Sequence, residues 1–336
     1  MPSDIPYGGQ AVINGVMIRG RSAMAIACRL ADGSIRTHAE PIRPLSARSR
    51  FLSLPVIRGT PALIDALVIG FRALIWSADL ATADEGHKPV SKGMWWLTIA
   101  GATAIGIVVF VLLPSLVVPH IGHSHLPASP GGGGAANAPG GPGGASGWWP
   151  AFVSNIVEGA IRMAVFLVYV LLIMRMREIQ RIFQYHGAEH KVVNAFEAGA
   201  HSGDPGFSRI HRRCGTNFIA TVIVVGIVVH LAFGWPAWYW RLPIRIASLP
   251  IIAGISYELL RAAGKRPNSR LYALLVAPGL VIQRLTTKEP TPDQIEVAQA
   301  ALDAALSADK TGEGDAERPK ARDSSPARLA GEEKAG

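Results

Sequence analysis

The chain has 336 residues, a formal net charge of +9, and a hydrophobic fraction of 49%. The apolar residues are concentrated in long runs, so the composition excludes an ordinary soluble domain and indicates an integral membrane protein. The basic excess does not indicate nucleic-acid binding, because Lys and Arg are distributed around the apolar runs and form no patch with interleaved aromatic residues.

Residues 5–60 are predicted to form a small β-rich cytoplasmic module. Ala23 to Leu30 has the composition of a strand, a turn signal follows it, and Ile35 to Ile42 is the returning strand. Gly8 and Gly9, ahead of this hairpin, favour tight turns over phosphate binding, because a lone Gly-Gly-Gln is a weak phosphate signal.

Four apolar runs are predicted to cross a bilayer as helices, at 94–118, 151–174, 216–235 and 242–263. The segment 61–93 is predicted to be an interfacial helix and linker, and 271–285 an interfacial or re-entrant helix. The N-terminus has no early apolar core, so we expect no signal peptide. The predicted fold class is mainly α, with about four transmembrane helices, the N-terminal β module and a cytoplasmic His/Cys loop.

The positive charges predict the orientation of the spans. The loop 119–147 contains no Lys or Arg, whereas the segment 175–215 contains seven. The positive-inside rule therefore places both termini and 175–215 in the cytoplasm, and 119–147 outside. The Gly- and Pro-rich outer loop and the tail 309–336 are predicted to be disordered, whereas 291–308 is predicted to be an amphipathic helix that begins with a capping box.

The strongest chemical signal is the HxxEH pattern of His186, Glu189 and His190, which His211 and Cys214 follow after one short loop. On a helix, His186 and His190 project from one face about one turn apart, which suits two ligands of one metal ion. With His211 and Cys214 they form a set of nitrogen and sulfur donors that suits zinc. A polar helix face at a membrane interface is the simpler interpretation for either histidine alone, but not for the four residues together.

In zinc hydrolases with an inverted HxxEH motif the glutamate activates a water molecule, which here makes Glu189 the candidate general base. Four protein ligands leave no place for water on a tetrahedral zinc, so a catalytic site requires that His211 or Cys214 does not bind the metal. Glu197 is on the same helix face as His186 and His190, about 10 Å beyond His190 along the helix axis. In this position it can support a ligand or contact substrate.

Ionisable residues also interrupt the predicted spans. Glu158 and Arg162 are four residues apart and can pair on one helix face, and Glu258 is a third group that is costly in a bilayer. A structural ion pair is at least as good an interpretation of Glu158 and Arg162 as a functional site. Cys28 and Cys214 are both predicted on the reducing side of the membrane, so we expect no disulfide between them.

Four motifs together resemble a bacterial membrane protein family: Tyr7 to Val12, Phe183 to Lys191, His211 to Thr216, and Leu285 to Pro290. Over most of residues 5–305 the chain is similar to the YqhQ-like family, which carries domain of unknown function 1385. The resemblance implies a metal-dependent enzyme. The family usually has Glu where this chain has Asn14, so we assign no catalytic role to Asn14.

The sequence therefore predicts a zinc-dependent, hydrolytic enzyme of the bacterial inner membrane, with both termini and the site on the cytoplasmic side. The candidate metal ligands are His186, His190, His211 and Cys214, with Glu189 as catalytic base. The expected partner is the lipid bilayer, and no nucleic acid is expected.

Two alternatives remain open at this stage. In the first, the chain is a non-enzymatic scaffold whose structural zinc site stabilises a docking surface for a cytoplasmic protein. In the second, three outer histidines, His120, His123 and His125, couple to the inner site in a metal sensor or carrier. The sequence specifies neither a substrate nor an oligomeric state.

Overall fold

Four strands and eight α-helices are present in the residues that the computed structural model describes, which are 7–86, 91–113, 148–200, 206–211, 214–233, 238–266 and 269–314. The strands are β1 Gly8–Val12, β2 Gly15–Arg19, β3 Ala23–Arg29 and β4 Ile35–Pro41. The helices are α1 Gly59–Asp84, α2 Lys92–Ile107, α3 Trp148–Ile173, α4 Arg177–Glu197, α5 Gly215–Leu231, α6 Trp238–Lys265, α7 Arg270–Thr286 and α8 Pro292–Gly314. Short 3₁₀ turns occupy Leu45–Arg48 and Phe51–Ser53, and a π-helical turn, Val108–Leu112, extends α2.

The strands form an antiparallel sheet in the order β1-β2-β3-β4, which confirms the predicted N-terminal β module. A two-residue turn, Ile13 and Asn14, joins β1 to β2. Asn14 has a φ of 53°, a left-handed conformation that Asn adopts more readily than most other residues. The backbone of the turn therefore explains Asn14 without any chemical role.

Helices cover both faces of the sheet. Side chains alternate between the faces along each strand, so neighbouring residues of a strand belong to different cores. Val16 and Ile18 belong to a core with residues of α4 and α8. Met17 and Ile26 belong to a second core on the opposite face, which α1 covers with residues that include Ile69. The sheet is thus the middle of three layers, with α1 on one face and α4 and α8 on the other.

Among the described residues, three helices are long and apolar enough to cross a membrane, in the windows Gly93–Phe110, Asn155–Ile173 and Pro243–Lys265. They coincide with three of the four predicted spans. The remaining predicted span is α5, Gly215–Leu231, which has 17 residues. At the rise of an α-helix it is about 26 Å long, slightly less than the hydrocarbon thickness of about 30 Å.

The C-terminal helix is longer than expected. The prediction ended it at 308 and began a disordered tail at 309, but α8 continues to Gly314. Asp309 explains the difference, because this buried residue accepts hydrogen bonds from Tyr7 Oη at 2.8 Å and from the backbone N–H groups of Arg21, Ser22 and Ala23 at 2.8–2.9 Å. Residues 315–336, like the outer loop 119–147 with its three histidines, lie outside the described residues.

Four ionisable residues of the apolar helices form ion pairs. The predicted pair of Glu158 and Arg162 is present at 2.6 Å, and Arg245 of α6 also binds Glu158. Glu258 accepts two hydrogen bonds from Arg58, each of 2.6 Å. These contacts favour the structural interpretation of Glu158 and Arg162, because one buried carboxylate joins two helices through two guanidinium groups.

Candidate metal centre

The HxxEH segment is helical, as predicted, and lies in α4. His186 and His190 are therefore on one face, and their ring centroids are 4.4 Å apart. His190 is fully buried, whereas His186 is half-buried. The helix alone brings the two imidazoles together. The four-residue spacing in the sequence was therefore enough to predict that they share a face.

Backbone carbonyl groups from distant segments orient both rings. Nδ1 of His186 lies 2.9 Å from the Thr286 carbonyl oxygen, and Nδ1 of His190 lies 2.6 Å from that of Arg209. A carbonyl oxygen only accepts, so each Nδ1 carries the hydrogen, and in the neutral imidazole each Nε2 then keeps a lone pair. Metal-binding histidines have this arrangement, because the hydrogen bond fixes both the tautomer and the ring plane.

Cys214 brings a sulfur atom to the same place from the N-terminus of α5. Its Sγ lies 3.2 Å from His186 Nε2 and accepts from the Thr216 N–H at 3.5 Å. The candidate ligand atoms of His186, His190 and Cys214 all lie within 4.8 Å of one another. At usual zinc bond lengths, a tetrahedral angle places nitrogen and sulfur about 3.6 Å apart, so the three donors fit one zinc ion with small adjustments.

Glu189 is adjacent to this cluster. Its Oε2 lies 3.5 Å from His190 Nε2, and the side chain is 3% exposed. A carboxylate in this position can accept a proton from a group beside His190. The predicted base is therefore near the predicted ligands, although its role stays a prediction.

His211 differs from the other three predicted ligands. Its Nε2 lies 3.5 Å from Glu197 Oε2, and its ring centroid is 5.7 Å from that of His190. Its backbone is fixed by Gln283, which accepts from the His211 N–H at 3.0 Å and donates to the His211 carbonyl at 2.8 Å. The structure thus brings three of the four candidates together and pairs the fourth with the carboxylate of Glu197.

The segment 286–290 approaches α4 at a glycine. A Cβ atom on Gly187 would lie 2.1 Å from the Lys288 carbonyl oxygen, so a side chain at 187 would displace this segment. The Lys288 N–H also donates to the Phe183 carbonyl at 2.9 Å, and Lys191 pairs with Glu289. Gly187 therefore allows the approach that carries the Thr286 carbonyl to His186.

Sequence reasoning missed Thr286, Arg209 and Gln283 as parts of the site. The first two act through backbone carbonyl groups, which leave no side-chain signal in the sequence. Thr286 belongs to the motif Leu285 to Pro290, one of the four that carry the family resemblance, and this was the available signal for it.

Comparisons with known proteins cover most of the chain. The profile of a family described as "Protein of unknown function (DUF1385)" matches residues 54–308. The "Uncharacterized protein YqhQ" of Bacillus subtilis (strain 168) is 30% identical over 311 residues, which are 87% of this chain and 89% of that protein. No solved structure matches. Neither description states an activity, but the family match includes both segments that supply the three converging donors.

Proposed function

The chain belongs to the DUF1385 family, and within that family we propose that it is a membrane protein with a zinc-dependent hydrolase site on its cytoplasmic side. One observation carries the proposal: two Nε2 atoms and one Sγ atom converge from α4 and the start of α5, and each imidazole is fixed through its other nitrogen by a backbone carbonyl.

The membrane location is supported by exposure as well as by sequence. The candidate span Gly93–Phe110 has none of its residues buried, and only 17% of the candidate window within Asn155–Ile173 is buried. Such surfaces are unfavourable in water and normal in a bilayer. The candidate site lies at residues 186–214, within the segment rich in Lys and Arg, so the positive-inside rule supports a cytoplasmic location for it.

Zinc is the metal that these donors favour. Thiolate and imidazole ligands suit zinc better than magnesium or calcium, which require oxygen. Three protein ligands, His186, His190 and Cys214, leave a fourth tetrahedral position for water, which is the composition of a catalytic site. The separation of His211 from this group supports an open site over a closed one.

In hydrolysis, the bound ion would lower the pKa of water to roughly 7. Glu189 accepts the proton that the attacking water loses, and then donates it to the leaving group, so that one water molecule is consumed for each bond broken. The Thr286 and Arg209 carbonyl groups hold the two imidazoles in position throughout. His211 and Glu197 form a neighbouring pair that can contact the substrate.

A structural zinc site in a non-enzymatic scaffold is the second candidate. Burial favours it, because His190 is 1% exposed and Glu189 is 3% exposed, which restricts access by a substrate. The site would then join α4 to the start of α5 and stabilise the loop between them.

Metal analysis of purified protein separates these functions. We expect one zinc per chain in the wild type, and loss of zinc in His190→Ala and Cys214→Ser. His211→Ala and Glu189→Gln retain the metal if the site is open. Retention in His190→Ala, or no bound metal in the wild type, contradicts both functions.

Cobalt substitution then tests the fourth position directly. In an open site, added azide binds the ion and changes the visible absorption spectrum, whereas a closed four-ligand site gives no change. Hydrolysis of p-nitrophenyl acetate should depend on the metal and fall by about 10²-fold or more in Glu189→Gln. Glu178→Gln, which changes an exposed carboxylate in the first turn of the same helix, is the matched control. An azide-insensitive spectrum together with no metal-dependent hydrolysis supports the scaffold.

A further inference from the structure

An apolar groove lies between the 3₁₀ turns that follow the sheet, the start of α1, and the middle of α6. Its volume is about 410 Å³, and its lining includes Leu45, Leu52, Ile64 and Ile251. The lining is almost entirely apolar, and the volume is in the range of small-molecule binding pockets. The cytoplasmic metal centre supplies no residue to it.

A strained backbone conformation forms one wall of the groove. Val56 has a φ of 68°, which is unfavourable for a β-branched residue. Its N–H donates to Glu258 at 3.3 Å, and Glu258 is itself held by two hydrogen bonds from Arg58. A Cβ on Gly254 would lie 2.1 Å from the Val56 carbonyl, so the glycine is needed for this contact. Surrounding interactions therefore maintain the groove in a fixed shape.

The groove continues into an exposed apolar surface. Leu67 and Phe71, on the next turns of α1, are 51% and 38% exposed, Phe51 is 63% exposed, and Ile251 of α6 is 50% exposed. Because α6 is one of the candidate membrane spans, this surface is continuous with a face that the bilayer would cover.

Positive charge accompanies the apolar lining. Arg48 and Arg50 are exposed and lie between Leu45 and Leu52, two residues that line the groove. Cationic side chains beside an apolar groove complement an amphiphile with an anionic head. A polypeptide partner would explain the apolar lining but does not by itself require the two arginines.

We propose that the groove binds one acyl chain of an anionic phospholipid, whose phosphate lies near Arg48 and Arg50. This inference rests on the membrane location in the proposed function and is independent of the metal chemistry. The lipid would fill the groove and cover the exposed side chains around it.

Photolabelling in vesicles tests the proposal on the full chain. The probe is phosphatidylglycerol with a diazirine on one acyl chain, in an equimolar mixture of phosphatidylcholine and phosphatidylglycerol, and the labelled peptides are identified by mass spectrometry. We expect labels to concentrate in residues 45–64 and around Ile251. Ile64→Trp fills the groove and should reduce this labelling about tenfold or more. Val168→Trp in α3 is the control, because Val168 is an exposed apolar residue of another helix and does not belong to the lining of the groove.

The headgroup is tested separately. Replacing both arginines, Arg48→Glu with Arg50→Glu, should reduce phosphatidylglycerol labelling to the level of a phosphatidylcholine probe, whereas Arg36→Glu in β4 should leave it unchanged. Equal labelling by the two probes in the wild type, or equal labelling of the Ile64→Trp and Val168→Trp variants, overturns the proposal, as does crosslinking of the groove to a polypeptide. A protein that does not float with the vesicles overturns the membrane location as well, whereas zinc content is measured independently on the same sample.

Discussion

The sheet layer and the apolar helices bury their hydrophobic residues in different ways. In the sheet layer, Val16 and Ile18 are 0% exposed and pack against α4 and α8. In α3, by contrast, Val168 and Leu172 are 54% and 61% exposed. The sheet layer has the core of a water-soluble domain, where burial is driven by the exclusion of water. The helices have exposed apolar surfaces of the kind that a bilayer covers, which is the property on which the proposed membrane location rests.

Buried polar groups differ in the same way. Asp309 lies against the sheet and accepts hydrogen bonds from several backbone N–H groups. One carboxylate thus provides acceptors for the donors of the β2–β3 turn. Glu158 lies among the apolar helices and binds Arg162 and Arg245. The carboxylate of Asp309 thus satisfies backbone groups, whereas the carboxylate of Glu158 is neutralised by two guanidinium groups. The candidate metal centre lies where these two environments meet.

The largest expected effect is the difference in stability between truncating a side chain of the sheet core and truncating an exposed apolar side chain of α3. Ile18→Ala removes a fully buried side chain and should lower the free energy of unfolding by about 2–5 kcal/mol. Leu172→Ala removes an exposed side chain and should change it by less than about 0.5 kcal/mol. Thermal unfolding of the two variants in the same detergent measures the difference. A large loss in Leu172→Ala would mean that another part of the protein covers α3, and the comparison would fail.

A smaller effect is expected where α8 attaches to the sheet. Asp309→Ala leaves the N–H groups of Arg21, Ser22 and Ala23 without their acceptor and should destabilise the fold by about 2–3 kcal/mol. Asp303→Ala, on the exposed side of the same helix, is the control and should have little effect. Chemical denaturation followed by circular dichroism measures both, and equal stability of the two variants would contradict the role of Asp309.

The same attachment should depend on pH. Burial alone would raise the pKa of Asp309, but hydrogen bonds from the Arg21 and Ser22 backbone, the Tyr7 hydroxyl and the Ser22 hydroxyl outweigh it and lower the pKa below its ordinary value of 3.8. The stabilisation is therefore complete above pH 3.8 and is lost as pH falls through the lower pKa of the folded state. The wild type should lose stability in this acidic range, and Asp309→Ala should lose less.

The smallest expected effect is a difference in alkylation rate between the two cysteines. Burial raises the pKa of Cys28 in β3 to about 12, so its thiol stays neutral. Cys214, at the candidate metal centre, is only half-buried. In metal-free folded protein at about pH 8, iodoacetamide should alkylate Cys214 at least about tenfold faster than Cys28. Peptide mass spectrometry measures the two rates. Added zinc should protect Cys214 alone, and equal rates with or without zinc would contradict metal binding by this sulfur.

The sequence was informative where the determinants are local. The composition of Ala23 to Leu30 and the turn signal after it predicted the hairpin, and the apolar runs predicted the long helices, because each signal lies within a short stretch of sequence. The spacing of His186 and His190 predicted that they share a face for the same reason. These predictions needed only the geometry of one strand or one helix.

Contacts between distant residues were not predictable in this way. His186 and Thr286 are 100 residues apart, and the contact uses a carbonyl oxygen that every residue carries. His211 seemed equivalent to Cys214 by spacing, but the Gln283 side chain fixes its backbone so that its ring meets Glu197 instead. Asp309 was assigned to a disordered tail because its partners, Tyr7 and Ser22, lie about 290–300 positions away.

The hydrogen bonds of Asp309 also limit the length of the chain between the sheet and the candidate site. Lys288 is fixed against α4 at Gly187, and Asp309 is fixed against the β2–β3 turn. The length of α8 therefore has to match the distance between these two contacts. Each residue adds about 1.5 Å and about 100° to a helix. Removing one residue from α8 would therefore turn the carboxylate away from its donors. The exposed residues of α8 can vary in identity. The number of residues between Pro292 and Asp309 cannot change without breaking one of the two contacts.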